Sequence, residues 1–175
     1  MTARATPSIR TPGVDEAARI SELAIRTFRV TYAADTRAED MDAFLADAYR
    51  VDTLAAELAD PRHRWLVADV GPELAGFAHL RDDERHVAVR GERPVLLAHL
   101  YLDRAYQGIG LGSALMRRSL GEARAAGHDV IRLGVWERNP RAVAFYERWG
   151  FESVGEMAFT FGAEQHRDIV MSRSL

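Results

Sequence analysis

The stretch from Val95 to Ala126 constrains the fold of this chain more than any other. It opens with a nearly continuous apolar run, Val95 to Leu102, passes through a loop with the register Gly-x-Gly-x-Gly at 108–112, and reads as helical from Gly110. Apolar runs of this length are typical of strands buried on both faces. We therefore expect a central strand that leads through a glycine loop into a helix.

The rest of the chain is predicted to supply helices first and strands afterwards. Apolar residues recur at spacings of three and four in the first third, and short apolar runs bounded by turn residues follow. Asn139 is predicted to cap a helix that has Pro140 at its first position and ends at Gly150. The predicted elements are helices at 15–32 and 41–58 with a break near 51, strands at 65–70 and 74–80, a polar loop or edge at 82–93, a strand at 130–136, a helix at 140–149, and strands at 151–161 and 166–171 around a turn at 162–164.

This order of elements predicts an α/β fold with a mixed sheet. A strand, helix, strand unit requires a parallel crossover, whereas the hairpins are antiparallel. The 175 residues suffice for one sizeable core and are too few to suggest two, so we expect a single domain over 1–175.

Composition excludes several kinds of chemistry. The chain has no cysteine, which rules out disulfides, thiolate metal sites and an enzyme-bound thioester, and we expect no metal. All 23 basic residues are arginine against 26 acids, so no broad basic surface for nucleic acid is expected. The opening Met1 to Pro7 has no apolar signal core, and no apolar run reaches membrane-spanning length. These features predict a cytoplasmic protein with neither a nucleic-acid nor a membrane partner.

The glycine loop admits several interpretations. Free amide groups at a helix start suit a pyrophosphate, which favours an anionic nucleotide ligand. A P-loop needs a lysine, and the chain has none. A dinucleotide fingerprint needs Gly-x-Gly-x-x-Gly early in a doubly wound sheet, and the loop here departs from that pattern in both register and position, although Glu137 does end the next strand. The remaining alternative is a helix entry whose glycines serve only the turn.

Two motifs together resemble the GNAT superfamily of N-acetyltransferases. Gln107, Gly110 and Gly112 match its signature of Arg or Gln, x, x, Gly, x, Gly or Ala. The segment from Asn139 to Phe151 resembles a second signature, Asn, x, x, Ala, x, x, Phe, Tyr, x, x, x, Gly, Phe, at the usual distance downstream. The resemblance implies a mostly antiparallel sheet of six to seven strands, with helices on both faces and a splayed central strand pair. It also implies acetyl-CoA as co-substrate.

Within that superfamily the chain is similar to bacterial spermine/spermidine acetyltransferases of the Pai type. That group has a glutamate near the position at which this chain has Ala98. The resemblance therefore assigns no general base to this chain. The similarity rests on Thr27-Phe28-Arg29, Thr31-Tyr32, Ala48-Tyr49, the run from Leu133 to Pro140, and Asp168-Ile169-Val170-Met171.

The resemblance implies where acetyl-CoA would bind. The backbone of the central strand would hold the pantetheine as an added strand does, and the glycine loop would hold the pyrophosphate. Asn139 would contact the pantetheine arm; alternatively it is a plain helix cap, or it does both. The implied binding residues are Leu100, Tyr101 and Leu102 on the strand, Gln107, Gly108, Ile109, Gly110, Leu111, Gly112 and Ser113 in the loop and helix start, and Asn139.

The implied chemistry is direct attack of an amine on the thioester. Tyr146 matches the general acid that protonates the departing thiolate, and the plain alternative is a buried tyrosine that packs on Phe145. An alkyl ammonium with a pKa of about 10.4 must first lose a proton. Glu137 and His99 are the candidate bases, and each has a plain alternative, a solvated carboxylate and a structural histidine. A backbone amide of the Leu100–Leu102 strand would face the developing oxyanion.

The acceptor is predicted from charge. Eight acids and two arginines lie between Asp35 and Asp60, a local net charge of −6. This would attract a polyamine, unless the acids only form solvated helix faces. Other amines remain as alternatives, such as a protein N-terminus, an aminoglycoside or an amino-acid derivative. A non-catalytic acetyl-CoA-binding sensor is the rival from another class, and the late strands could pair two copies into a homodimer.

Overall fold

The computed structural model describes residues 6–34, 36–82, 85–161 and 164–175, apart from the side chains of 161 and 164. Residues 83–84 of the predicted polar loop and 162–163 of the predicted last turn lie outside the described residues. The elements are β1 (Pro7–Arg10), α1 (Ala17–Tyr32), α2 (Ala38–Ala48), α3 (Val51–Ala59), β2 (His63–Val70), β3 (Glu73–Arg81), β4 (Pro94–Leu102), α4 (Leu111–Ala125), β5 (Val130–Trp136), α5 (Pro140–Arg148), β6 (Glu152–Phe161) and β7 (Glu164–Ser174).

The described strands form one seven-stranded sheet in the order β1-β2-β3-β4-β5-β7-β6. The pair β4 and β5 is parallel, and the other neighbouring pairs are antiparallel. This confirms the predicted mixed, mostly antiparallel α/β fold. The edge strand β1 is the element that the sequence did not predict, because four residues ending in Arg10 carry no clear alternation of apolar and polar residues.

The sheet has an apolar core on each face. Alternate residues of β2 separate the two cores, because successive side chains of a strand point to opposite faces. Leu66 and Ala68 belong to the core that also contains residues of α4, with α5 packed against it, whereas Trp65 and Val67 belong to the core built by α1, α2 and α3. The helices therefore cover both faces, as predicted.

Local signals start and stop the helices that surround the central strands. The side-chain oxygen of Asn139 accepts a hydrogen bond from the amide of Ala142 at 3.2 Å, and Pro140 occupies the first turn of α5. This is the predicted cap, and the same amide also donates to the backbone oxygen of Asn139 at 3.1 Å. Gly127 has a φ of +79°, the left-handed conformation that ends α4.

The parallel pair separates soon after it forms. Its registered partners run from Pro94 and Val130 to Leu96 and Arg132. Beyond Leu96, β4 keeps its partner β3, and the register between these two strands shifts because Ala98 is an extra residue on β4. Bulges bend a strand and redirect its side chains. The two central strands therefore splay apart from this point, as the fold prediction requires.

None of the described helices combines the length and the apolar character that crossing a membrane requires.

Candidate functional site

A cleft of about 770 Å³ lies where β4 and β5 separate. One wall is β4 from Leu97 to Leu102, and the other includes Gly134 to Trp136 of β5. The glycine loop and the start of α5 border one side, and aromatic residues of α1 and α2 border the other. The cleft therefore brings together most of the residues that the sequence singled out.

The glycine loop has the backbone geometry that its sequence requires. Gly108 and Gly110 have φ values of +81° and +87°, a region in which residues with a Cβ are strained. A Cβ placed on either glycine would meet no described atom within 4 Å, so the loop presents open backbone to the cleft. Gly112 differs, because a Cβ there would lie 3.1 Å from Leu102, so it allows α4 to pack closely on β4.

A hydrogen bond joins the glycine loop to α5. Nη1 of Arg141 donates to Oε1 of Gln107 over 2.7 Å. Ser113 also lines the cleft, whereas Ile109, which is 40% exposed, and Leu111, which is buried in the core, do not line it. Arg141 is not among the residues predicted from the sequence, because a helical arginine gives no specific signal on its own.

Asn139 and Tyr146 both line the cleft from α5. Asn139 caps the helix, as described, and also faces the space between the splayed strands. Tyr146 is half-buried, and its ring lies 5.4 Å from that of Phe145 and 5.7 Å from that of Phe151. Burial raises the pKa of Tyr146 to about 12. The phenol is therefore protonated throughout the neutral range and can donate into the cleft.

His99 lines the cleft from β4, among other aromatic rings. Its ring centroid lies 5.2 Å from that of Tyr101 and 5.9 Å from that of Tyr49, and the two phenol oxygens are 3.2 Å apart. Burial lowers the pKa of His99 to about 4, with Arg81 contributing in the same direction. The imidazole is therefore neutral at neutral pH and has a nitrogen lone pair.

Glu137 occupies a different environment. Its carboxylate is bound by the guanidinium of Arg167, which also pairs with Glu156. These residues line a separate cavity of about 360 Å³ that shares Trp136 and Arg138 with the cleft. His99 and Tyr146 therefore line the same cleft. The Glu137 carboxylate lies beside it and is paired with Arg167.

Asp168 of β7 is a cleft residue that the sequence analysis did not identify as functional. It is the registered partner of Trp136, and its Oδ1 is buried without a hydrogen-bond partner among the described residues. Burial raises the pKa of Asp168 to about 6, and the nearby His166 opposes this. An acid at the start of the apolar run 169–171 is a weak signal, because only the pairing of β5 with β7 places it in the cleft.

Five aromatic side chains, here called the aromatic wall, form the side of the cleft near α1 and α2. Their ring centroids are closely spaced, at 4.4 Å between Phe28 and Tyr32 and 4.8 Å between Tyr32 and Trp136. Rings packed this closely make this side of the cleft apolar, and the π faces of aromatic rings attract cations. The members of the aromatic wall are Phe28, Tyr32, Phe44, Trp136 and Phe159.

The carboxylates of the acidic segment at 36–60 do not line the cleft, and Asp35 lies outside the described residues. Several of its carboxylates pair with arginines, such as Asp42 with Arg29 at 2.6 Å and Asp52 with Arg50 at 2.5 Å. Among the described residues that line the cleft, the carboxylate is that of Asp168. The negative charge available to an acceptor inside the cleft therefore comes from β7.

Comparison with known proteins agrees with this geometry. The model of the acetyltransferase (GNAT) family matches residues 19–151. An uncharacterized N-acetyltransferase of Mycobacterium tuberculosis is 33% identical over 161 residues, or 91% of this chain and 98% of that protein. One in the pepI 3′ region of Lactobacillus delbrueckii subsp. lactis is 30% identical over 149 residues, or 85% and 86%. The crystal structure of the PaiA N-acetyltransferase of Thermoplasma acidophilum with coenzyme A has the same fold, with a TM-score of 0.81 at 21% identity, covering 97% and 99%.

Proposed function

This chain belongs to the acetyltransferase (GNAT) family and is an acetyl-CoA-dependent N-acetyltransferase, and we propose that its acceptor is a primary alkyl ammonium of the polyamine class, such as spermine or spermidine. The observation that carries the choice of acceptor is the buried Oδ1 of Asp168 beside the aromatic wall. A carboxylate and π faces together favour a cation with an apolar body.

The acetyl-CoA end of the cleft fits the residues present. The open backbone of Gly108 and Gly110 at the start of the fifteen-residue helix α4 suits a pyrophosphate, and Arg141 adds a positive charge beside it. Between Leu100 and Leu102, the side of β4 that faces β5 has no registered partner among the described residues, so its backbone can pair with the pantetheine amides. Acetyl-CoA supplies the thioester that the amine attacks.

Tyr146 is the proposed general acid. Its phenol stays protonated because burial raises its pKa to about 12, and it lines the same cleft as Asn139 and the open edge of β4. From there it can donate its proton to the sulfur as the thiolate departs. The phenol regains a proton from the nitrogen that has become an amide. A backbone amide of Leu100–Leu102 would stabilise the charge on the carbonyl oxygen.

His99 is the proposed base that takes the first proton from the acceptor ammonium. It lines the cleft and is neutral at neutral pH, as a base must be. Glu137 is the second candidate, and Arg167 would have to release its carboxylate before it could accept a proton. Asp168 would hold the ammonium electrostatically, since a carboxylate near a cation gains most where water is excluded.

An amine panel tests the acceptor proposal. Spermine and spermidine should be acetylated with a kcat/KM that falls as salt rises, because part of the attraction is between screened charges. A neutral-bodied monoamine of similar length, the matched control, should show a lower kcat/KM and a weaker salt dependence. Acetylation of the monoamine with inert polyamines would overturn the acceptor class. Acetyl-CoA binding without transfer to any amine would favour a sensor.

A further inference from the structure

Three histidines on neighbouring strands form a hydrogen-bonded series, here called the histidine chain. Nδ1 of His63 on β2 lies 2.9 Å from Nε2 of His79 on β3, and Nδ1 of His79 lies 3.3 Å from Nδ1 of His99 on β4. The rings are nearly parallel, with interplanar angles of 25° and 15°. Strand pairing builds the series, because His79 is the registered partner of both Trp65 and His99.

The histidine chain connects the cleft with the protein surface. His99 lines the cleft at one end. His79 in the middle is 1% exposed and stacks on Trp65 with the ring centroids 3.8 Å apart. At the outer end, the side chain of His63 is 13% exposed, and its Nδ1 lies 4.0 Å from Oε2 of Glu57. Polar nitrogens thus cross a part of the core that is otherwise apolar.

One assignment of protons satisfies both contacts and leaves a base in the cleft. If Nδ1 of His99 carries its proton, it donates to Nδ1 of His79, which must then carry its own proton on Nε2. That proton is donated to Nδ1 of His63, whose Nε2 holds the remaining proton. In this arrangement Nε2 of His99 is unprotonated. The two contacts are therefore compatible with the tautomer in which His99 can accept a proton.

A metal ion is the other use for such a cluster, since Glu57, His63 and His79 offer ligand atoms within 4.8 Å of one another. The distances favour hydrogen bonding. Two nitrogens that bind one tetrahedral zinc at about 2.0–2.1 Å lie about 3.3 Å apart. The nitrogens of His63 and His79 are 2.9 Å apart, which is a hydrogen-bond distance.

We propose that the histidine chain carries the first proton of the acceptor ammonium out of the cleft toward His63 during each acetyl transfer. The inference rests on the proposed amine acetylation, which converts an ammonium and a thioester into an amide, a thiol and one proton. That proton must leave before the amine can attack, because an alkyl ammonium has no lone pair.

The transfer balances proton by proton. Nε2 of His99 takes a proton from the ammonium, and the Nδ1 proton of His99 moves to Nδ1 of His79. The Nε2 proton of His79 moves to Nδ1 of His63, and the Nε2 proton of His63 passes to water at the surface. After the products leave, Nε2 of His63 takes a proton from water at the surface, the reverse shift returns a proton to Nδ1 of His99, and Nε2 of His99 releases its proton to water in the open cleft, which restores the starting tautomers. No oxidant or further reactant is needed.

The groups around the histidine chain favour a concerted shift of all its protons over an intermediate that holds a positive charge in the core. Burial lowers the pKa of His79 to about 2 and that of His99 to about 4, and Arg81 disfavours a positive charge on both. The phenols of Tyr49 and Tyr101 face His99 and are themselves kept protonated by burial, which raises the pKa of each. The carboxylate of Glu57 faces the outer end, so a positive charge is best tolerated at His63.

The decisive variant is His63→Ala, which removes the outer end without touching the cleft. With the amine that the panel shows to be acetylated fastest, kcat near pH 8.5 should fall by at least about tenfold, while the KM for acetyl-CoA stays unchanged. Added imidazole should restore the rate through the space left by the side chain. His86→Gln, a histidine outside the chain, is the matched control and should keep the wild-type rate.

Two substrates distinguish a rate loss caused by impaired proton removal from one caused by structural damage. An analogue of that amine with fluorine beside the reacting nitrogen, and an ammonium pKa below the assay pH, enters already neutral. His63→Ala should acetylate this analogue within twofold of wild type. An equal loss with both amines, or no loss with either, would overturn the proposed relay, and so would stoichiometric zinc binding that His63→Ala abolishes. His63→Gln provides the same test if the alanine variant does not fold. If the wild type acetylates no amine, the proposed function itself fails.

Discussion

Leu96 and Arg132 are the last registered partners between the parallel strands β4 and β5. One position further, β4 still pairs with β3, and the bulge at Ala98 turns β4 away from β5. The backbone groups that β5 would have bound are thereby left facing the cleft. A strand can open in this way without cost only if something else binds those groups, which is what the extended pantetheine of acetyl-CoA would do.

The proposed binding of pyrophosphate by the glycine loop can be tested by adding a negative charge to the loop. Gly110→Asp should weaken acetyl-CoA binding by at least about tenfold, because a carboxylate would stand where the pyrophosphate binds. Gly110→Asn is the matched control, since asparagine tolerates a positive φ and adds no charge. Isothermal titration calorimetry on both folded variants measures the difference. Equal affinity of the two variants would show that the loop does not hold the pyrophosphate.

Asn139 has a structural role in the fold and a proposed role in binding, and two substitutions separate them. Asn139→Ala should lower the free energy of unfolding by about 1 kcal/mol, because the amide of Ala142 loses its cap. Asn139→Asp should keep that stability, since aspartate caps equally well. If the side-chain amide contacts pantetheine, both variants should bind acetyl-CoA more weakly. Denaturant unfolding and calorimetry measure the two effects, and wild-type affinity in Asn139→Asp would leave the cap as its role.

The elements that the sequence predicted are those with local signals. Backbone requirements or apolar patterns within about ten residues are enough to predict the glycine loop, the cap at Asn139 and the buried strand β4. The family motifs then imply the splayed pair, which the fold confirms. The boundaries of the elements moved by only a few residues, as hydrogen bonding at helix and strand ends allows.

The features that the sequence missed depend on register between distant segments. His63, His79 and His99 are separated by 16 and 20 residues, and only the pairing of three strands brings their nitrogens together. Asp168 likewise reaches the cleft because β7 lies between β6 and β5 and pairs with β5 as well as with β6. A shift of one residue would turn such side chains to the opposite face, and short apolar strands do not specify it locally.

Asp168 should lower the stability of the free protein and strengthen binding of the acceptor. Its pKa of about 6 in the folded protein exceeds the usual value of an aspartate, so the folded state binds more protons than the unfolded state between the two values. Stability should therefore fall as pH rises through this window. Asp168→Asn should stabilise the free protein at neutral pH by no more than about 2 kcal/mol after solvent screening. Thermal unfolding at several pH values measures this.

The same substitution, Asp168→Asn, should weaken binding of the acceptor amine. The KM for a polyamine should rise by about tenfold in Asp168→Asn, and in the wild type the KM should rise as pH falls below about 6, where the carboxylate is protonated. Glu22→Gln, an exposed acid on α1, is the matched control for lost negative charge. A variant with an unchanged KM and an unchanged pH profile would remove Asp168 from the acceptor site.

Tyr146 separates catalysis from binding most directly. Tyr146→Phe keeps the ring, so acetyl-CoA affinity should stay close to wild type, while kcat should fall by about a hundredfold if the phenol protonates the thiolate. Tyr106→Phe, a half-buried tyrosine outside the cleft, is the matched control. Steady-state kinetics with calorimetry measures both quantities.

The pH dependence of this defect follows from two pKa values. Burial keeps Tyr146 protonated up to about pH 12, so the wild type retains its acid across the assay range. A thiol has a pKa of about 8.5, and above that pH the departing thiolate no longer needs a proton. The difference between Tyr146→Phe and wild type should therefore shrink as pH rises from 7 to about 9.5. A constant difference over this range would indicate that the hydroxyl positions the thioester instead, and full activity of Tyr146→Phe at neutral pH would reduce the residue to packing.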